Sequence, residues 1–266
     1  MCSSSSRVAT SVTELLSLRF LHIVRRNFLV WRKLLVPSLI GNLADPLIWL
    51  LGFGLGFGAF LPKIEGVPYL AFLAAGMICY STMYSASFEA LYSAFARLAI
   101  QRTWEGMLHA PLTIGDVVLG EWVWAALKSV LSGAAILVVM YALGIVSGWQ
   151  PLAALPVVLV TGLAFSGVAL VVTAFAKSYD FFVYYFTLAM TPMMLLSGVF
   201  FPASGLPATA RRLAEALPLL HATELARALT LGAVPVRPLV NVAVLLSYAV
   251  VGVGVAGWLI RRRLMK

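Results

Sequence analysis

Residues 101–121 read QRTWEGMLHAPLTIGDVVLGE, a polar stretch set between long apolar runs. A charged island of this length can lie outside a bilayer while the chain on either side crosses it, so the segment reads as an elbow between two membrane spans. The composition around it agrees. Hydrophobic residues make up 62% of the 266 positions and charged residues 11%, and the mean hydropathy is +0.97. A soluble domain of this size cannot bury so large an apolar share, and the expected fold class is an all-α integral membrane protein.

Six apolar runs stand out, at about 34–60, 67–92, 117–143, 151–175, 181–201 and 239–260. Each is near the roughly 20 residues that cross about 30 Å of hydrocarbon. The chain therefore divides into a segment 1–33, a six-span region 34–260 and a basic tail 261–266. An even number of spans puts both termini on one side. With the N-terminus inside, that side holds Arg7, Arg19, Arg25, Arg26, Arg32, Lys33, Arg97, Arg102, Lys177, Arg261, Arg262, Arg263 and Lys266, against Lys63, Arg211, Arg212, Arg227 and Arg237 outside. The bias predicts cytoplasmic termini.

Before the first span, residues 13–33 set Leu15, Leu16, Leu18, Leu21, Phe28 and Leu29 against Arg19, Arg25, Arg26 and Arg32 at broadly helical spacing. The pattern fits a helix lying in the membrane interface with snorkelling arginines, and equally a basic flank that only fixes topology. The start, MCSSSSRVATSVTELLSLRF, lacks the apolar core and small-residue cleavage pattern of a secretory signal, so insertion is expected to rely on the first span. Between the last two spans, LPATARRLAEALPLLHATELARALTLG has apolar residues at helical spacing, interrupted by Pro207 and Pro218. It predicts short helices on the outer face, compatible with a cap or with a re-entrant pair.

The formal charge of +9 would suggest nucleic acid in a soluble protein. Here it matches the basic flanks of membrane spans, and no nucleic-acid partner is expected. Cys2 and Cys79 support neither a disulfide framework nor a cysteine metal site. None of the five lysines sits in a G-x-x-x-x-G-K-[ST] loop, and H-E-x-x-H and G-x-S-x-G are both missing. No catalysis, cofactor or metal is expected of this chain itself. Gly252-Val-Gly254-Val-Ala-Gly257 fits the dinucleotide pattern G-x-G-x-x-G but lies inside the last apolar run with no strand before it, so close helix packing is the better reading. Gly52, Gly54, Gly56 and Gly58 give two interleaved G-x-x-x-G pairs in the first span, open to an internal helix or a second subunit.

Ionisable residues inside spans are costly and are therefore candidates. Asp45, Glu89, Glu121 and Lys128 read as charges near the membrane boundary, with a local ion pair or helix cap as the plainer interpretation. In the elbow, Arg102, Trp104, Glu105, Met107 and His109 can share an amphipathic turn that Pro111 ends, with Asp116 opening the next helix. A solvated loop has little use for Trp104 and Met107, whereas a docking helix would bury them in a partner's groove. The short inner loop with Lys177 and Asp180 reads as a secondary contact. Trp149, Tyr184 and Tyr185 could stack on sugars, although anchoring at the lipid interface explains them more simply.

Several segments resemble type-2 ABC export permeases, in their nodulation-protein-J-like branch. They are GNLADPLIWL (41–50), FLAAGM (72–77), QRTWEGML (101–108), GDVVLGE (115–121), VVTAFAKSYDFF (171–182), TPMMLLSGVFFP (191–202) and RRRLM (261–265). The resemblance implies a multi-pass permease of the bacterial inner membrane. It would work as two copies with a separate ATPase of the nodulation protein I kind, which holds ATP and magnesium. Residues 101–110 would then be the coupling segment, and the cargo a lipid-linked saccharide such as a lipo-chitin oligosaccharide. A drug-like or polyketide amphiphile is the alternative cargo. A secondary transporter or membrane enzyme that works without an ATPase is the alternative class.

Overall fold

The computed structural model describes residues 18–61 and 63–265, with the side chains of Leu39, Asn42 and Leu43 excepted. The early part of the proposed interfacial segment, with Leu15 and Leu16, lies outside the described residues, as do Cys2, Arg7 and Lys266. Among the described residues the regular structure is helical apart from one short hairpin. Helix α1 (Phe20–Trp31) leads through a 3-10 turn into α2 (Leu35–Phe60). Strands β1 (Lys63–Ile64) and β2 (Val67–Pro68) pair antiparallel with Ile64 opposite Val67. Glu65 and Gly66 both take positive φ, as a two-residue hairpin turn of this hand requires.

Helix α3 (Tyr69–Ile100) follows, then the elbow helix α4 (Thr103–Leu108), α5 (Ile114–Ala142), α6 (Ala154–Phe175) and α7 (Asp180–Leu196). Two shorter helices, α8 (Ala208–Ala216) and α9 (Pro218–Thr230), precede α10 (Pro238–Leu264). Among the described residues four helices, α3, α5, α6 and α10, are long and apolar enough to cross a membrane, and α2 and α7 add shorter apolar stretches. The protein is an all-α membrane protein whose helices follow the six apolar runs.

The core forms around α3. Its face is built from Ala71, Ala74, Ala75, Gly76, Ser81 and Ser85, all buried, and side chains this small let neighbouring helices approach closely. Thr82 donates to the Ile78 carbonyl at 2.8 Å, whereas the Ser81 and Ser85 hydroxyls are buried with no hydrogen-bond partner. Helices α6 and α10 cross where Gly167 meets Gly252: a Cβ at position 252 would lie 2.8 Å from the Gly167 carbonyl carbon. The dinucleotide-like pattern is thus a packing notch at Gly252, while Gly254 and Gly257 have nothing within 4 Å. Gly52 and Gly56 of α2 likewise face open space and line a groove of about 470 Å³ with Trp49, Phe53 and Phe57.

Prolines divide the connection after α7 as their chemistry demands. Pro207 precedes α8, and Pro218 opens α9 immediately after Leu217. Helix α9 buries Leu219, Leu220, Ala222, Leu225 and Ala226 against the bundle, and several of these join the core that contains α3. It packs as part of the bundle core.

The second span is longer than the hydropathy reading gave. It continues through two π-helical stretches, Glu89–Ser93 and Ala96–Ile100, so Arg97 lies on a helix and not in a loop. Helix α5 begins at Ile114, with Thr113 as its cap: the hydroxyl accepts from the Asp116 amide at 3.1 Å, and the Asp116 carboxylate accepts from the Thr113 amide at 2.9 Å. The polar elbow therefore shrinks to residues 101–113, and Glu121 belongs to the interior of α5.

Candidate functional site

The elbow begins with a sharp reversal. Arg102 takes φ 49°, ψ 28° in the left-handed region, uncommon for a residue with a side chain, and turns the chain from α3 into α4. That turn aims Trp104 back into the protein, where it is 0% exposed. Its indole Nε1 donates to Glu121 Oε1 at 3.2 Å. Trp104 is therefore spent within its own chain and unavailable to a partner's groove, contrary to the docking role read from the sequence. Met107 is half-buried against the same core. The face left outward carries Arg102, Glu105 and His109, all exposed.

Beneath α4 lies a buried cluster of two carboxylates and two cations. Glu121, 1% exposed, accepts from Arg97 Nε at 2.8 Å, and Arg97 Nη2 also reaches its second oxygen. The same Nη2 donates to Glu89 Oε1 at 2.9 Å. Glu89 further accepts from Trp124 Nε1 at 3.0 Å and from Lys128 Nζ at 2.8 Å. Asn27 of α1 completes the cluster, its Nδ2 donating to Glu121 Oε2 at 3.2 Å. Charges balance, and every carboxylate oxygen is bonded, which is the condition under which a buried ionic group is tolerated.

Four elements meet there: α1 through Asn27, α3 through Glu89 and Arg97, α4 through Trp104, and α5 through Glu121, Trp124 and Lys128. Helix α1 is also held by aromatic contact, with the Trp31 and Trp124 rings 5.9 Å apart. Beside it, Arg26 donates to Asn27 Oδ1 at 3.0 Å. Burial pulls the Arg26 guanidinium below its ordinary value, Arg97 adds to that shift and Glu121 opposes it.

Of the four boundary charges read from the sequence, Glu89, Glu121 and Lys128 come together and Asp45 does not. Asp45 accepts from Tyr80 at 3.0 Å and from Trp49 at 3.1 Å, away from the cluster. The terminal arginines do not pair with these carboxylates either. Arg263 instead donates to the Thr173 and Ala174 carbonyls at 3.0 and 3.1 Å, closing the C-terminal end of α6. Lys177 and Asp180 are exposed, Asp180 in the first turn of α7.

Sequence reasoning missed Arg97, Asn27 and Trp124. For Arg97 a signal existed: it follows Glu89 by eight residues, close to two helical turns, which places both on one face. The aromatic candidates do not assemble: Trp149 and Tyr184 are exposed, while Tyr185 is half-buried with its hydroxyl 3.4 Å from Ser87. A different set does. Tyr80, Tyr84, Phe88 and Tyr92 recur every four residues on α3 and, with Phe186, line a groove of about 310 Å³.

The family model described as ABC-2 type transporter matches residues 19–231. The chain belongs to this family. Among its relatives, the nodulation protein J of Rhizobium meliloti (strain 1021) is 47% identical over 241 residues, covering 91% of this chain and 92% of the relative. That of Bradyrhizobium diazoefficiens is 48% identical over 242 residues, covering 91% and 92%. The inner membrane transport permease YadH of Escherichia coli (strain K12) is 27% identical over 202 residues, covering 74% and 75%. The protein is thus an ABC-2 transport permease with nodulation protein J relatives, and its helices are those of a multi-pass membrane protein. Within that family the buried cluster takes on meaning, because it connects an exposed elbow to two long helices of the permease.

Proposed function

We propose that this permease is the membrane half of an ATP-driven exporter that carries an amphiphilic saccharide, of the lipo-chitin oligosaccharide kind, out across the bacterial inner membrane. Two copies work with a separate ATPase of the nodulation protein I kind, which binds ATP and magnesium, and both termini of the permease lie in the cytoplasm. The observation that carries this reading is the two-sided character of α4. Arg102, Glu105 and His109 face outward to meet the ATPase, while Trp104 is bonded to Glu121 inside. A push on the exposed face therefore moves a rigid indole that is tied, through Glu121 and Arg97, to both α5 and α3. Such a linkage turns closure of the ATPase into a tilt of the spans, a two-state transition with α4 as its lever. Lys177 and Asp180 provide a second, smaller contact.

The groove of Tyr80, Tyr84, Phe88 and Tyr92 offers the cargo a row of aromatic rings, of which Tyr84 with Phe88 and Phe88 with Tyr92 are stacked. The open α2 face at Gly52 and Gly56 is where the second copy approaches. The nodulation protein J relatives support a role linked to nodulation.

The test is to tag the C-terminus, purify the permease from native membranes in mild detergent and identify what accompanies it. A Walker-motif ATPase is expected, and Glu105→Arg is expected to leave hydrolysis running while export into vesicles falls at least about tenfold. A permease that transports with no ATPase present would overturn the reading. Preferential transport of a drug-like amphiphile over a lipo-chitin oligosaccharide would replace the cargo while keeping the machine.

A further inference from the structure

The end of the bundle opposite α4 contains a cavity of about 600 Å³ between the β-hairpin, α8, α9 and the start of α10. Three guanidinium groups, Arg211, Arg227 and Arg237, and three carboxylates, Glu65, Glu215 and Glu224, line it. Among the described residues none of these six comes within ion-pair distance of an opposite charge, since the ion pairs all belong to the cluster under α4. Charges of both signs thus surround a gap without closing on each other.

Arg227 is the group that most requires an explanation. Its Nη2 donates to the Gly198 carbonyl at 2.6 Å and to the Phe72 carbonyl at 3.4 Å, and its guanidinium carbon sits 3.6 Å over the Phe72 ring. Its Nε is fully enclosed and has no hydrogen-bond partner. Burial draws this arginine down to about 10, and Glu65, Cys79 and Glu224 only partly offset that. A buried cation held by neutral carbonyls and a ring, with no counter-ion, favours an arriving anion. One turn earlier on α9, Glu224 is held in place by Asn241, whose Nδ2 donates to Glu224 Oε2 at 3.1 Å, and Asn241 is fixed in turn by His221 at 2.8 Å. Ser204 donates to Glu65 at 3.4 Å.

One wall is apolar. Val234 and Val236 line the cavity yet are 88% and 90% exposed, and Leu239 beside them is 84% exposed. A polar cavity of mixed charge opening on an exposed apolar lip matches a molecule with a zwitterionic head and hydrocarbon tails.

We propose that this cavity binds a zwitterionic phospholipid of the phosphoethanolamine class from the leaflet at this end of the bundle. The phosphate sits at Arg227, the ammonium at Glu224 and Glu65, and the tails run over Val234, Val236 and Leu239. This goes beyond the export reading and does not depend on it.

Native mass spectrometry of the purified full chain tests it, with dioleoyl phosphatidylethanolamine, phosphatidylglycerol and phosphatidylcholine titrated separately. Phosphatidylglycerol keeps the phosphate without the ammonium, and phosphatidylcholine keeps the charge without its N–H donors. A charge-assisted hydrogen bond is worth about tenfold or more in affinity, so phosphatidylethanolamine should bind about tenfold tighter than either. Glu224→Gln should remove that preference without weakening phosphatidylglycerol binding, and Arg227→Lys should weaken all three lipids. Because Arg227 also ties down the Gly198 and Phe72 carbonyls, the Glu224→Gln and Glu65→Gln variants carry the test if Arg227→Lys does not fold. Equal retention of the three lipids, or a preference untouched by both glutamate substitutions, would overturn the proposal.

Discussion

Glu121 is the residue on which the elbow depends, because one carboxylate accepts from Trp104 of α4, Arg97 of α3 and Asn27 of α1. Replacing it with an amide of the same shape separates charge from volume. In Glu121→Gln, Arg97 and Lys128 both fall on Glu89, leaving two buried cations against one anion. Removing one partner of a buried pair typically costs about 3–5 kcal/mol. The expected outcome is a large drop in the thermal unfolding midpoint of the purified permease in detergent. Glu105→Gln, on the exposed face of α4, should shift stability by no more than about 0.5 kcal/mol. Equal effects of the two substitutions would mean that the cluster does not anchor α4. Trp104 itself is a positioning residue in this scheme, transmitting force and not offering a surface.

At the level of elements, packing depends on a few places where backbone meets backbone. The crossing of α6 and α10 is the tightest such contact, and Gly252→Ala places a methyl 2.8 Å from the Gly167 carbonyl carbon and 2.9 Å from the Val168 nitrogen. Backbone cannot move aside as a flexible side chain does, so overpacking of about 1–3 kcal/mol is expected. Gly254→Ala, two residues further along the same helix with nothing within 4 Å, should be neutral or slightly stabilising. Thermal unfolding of the pair checks this directly. Helix α1 reaches α5 by a similar route, since Gly120 leaves room for Ile23 and the Phe20 carbonyl. A side chain there would lift α1, and with it Asn27, away from Glu121.

Across the whole molecule, the chain separates two polar ends. One holds α4 over the ionic cluster, and the other holds α8, α9 and the mixed-charge cavity. In the proposed six-span arrangement these ends face opposite sides of the bilayer. In a Cys2→Ser background, Glu105→Cys should react with a membrane-impermeant maleimide only in inside-out vesicles, and Val234→Cys only in right-side-out cells. Both side chains replaced are exposed, and the remaining Cys79 is fully buried. Labelling of both from the same side would refute the six-span arrangement.

The linear pattern was enough to locate the apolar runs, though not the end of the second span, together with the breaks at Pro207 and Pro218 and a polar elbow, because hydropathy and proline act over a few neighbouring residues. It also marked Glu89, Glu121 and Lys128 as costly positions. It could not say that these three meet around Arg97, for the contacts join residues 24 and 39 apart on different helices. Nor could it tell that Trp104 turns inward, because its environment is set by the left-handed turn at Arg102 and by a carboxylate on the next helix. Local sequence fixes which segments are helical and apolar. Which buried charge neutralises which, and so which surface of the elbow remains free for a partner, is decided only when the helices pack.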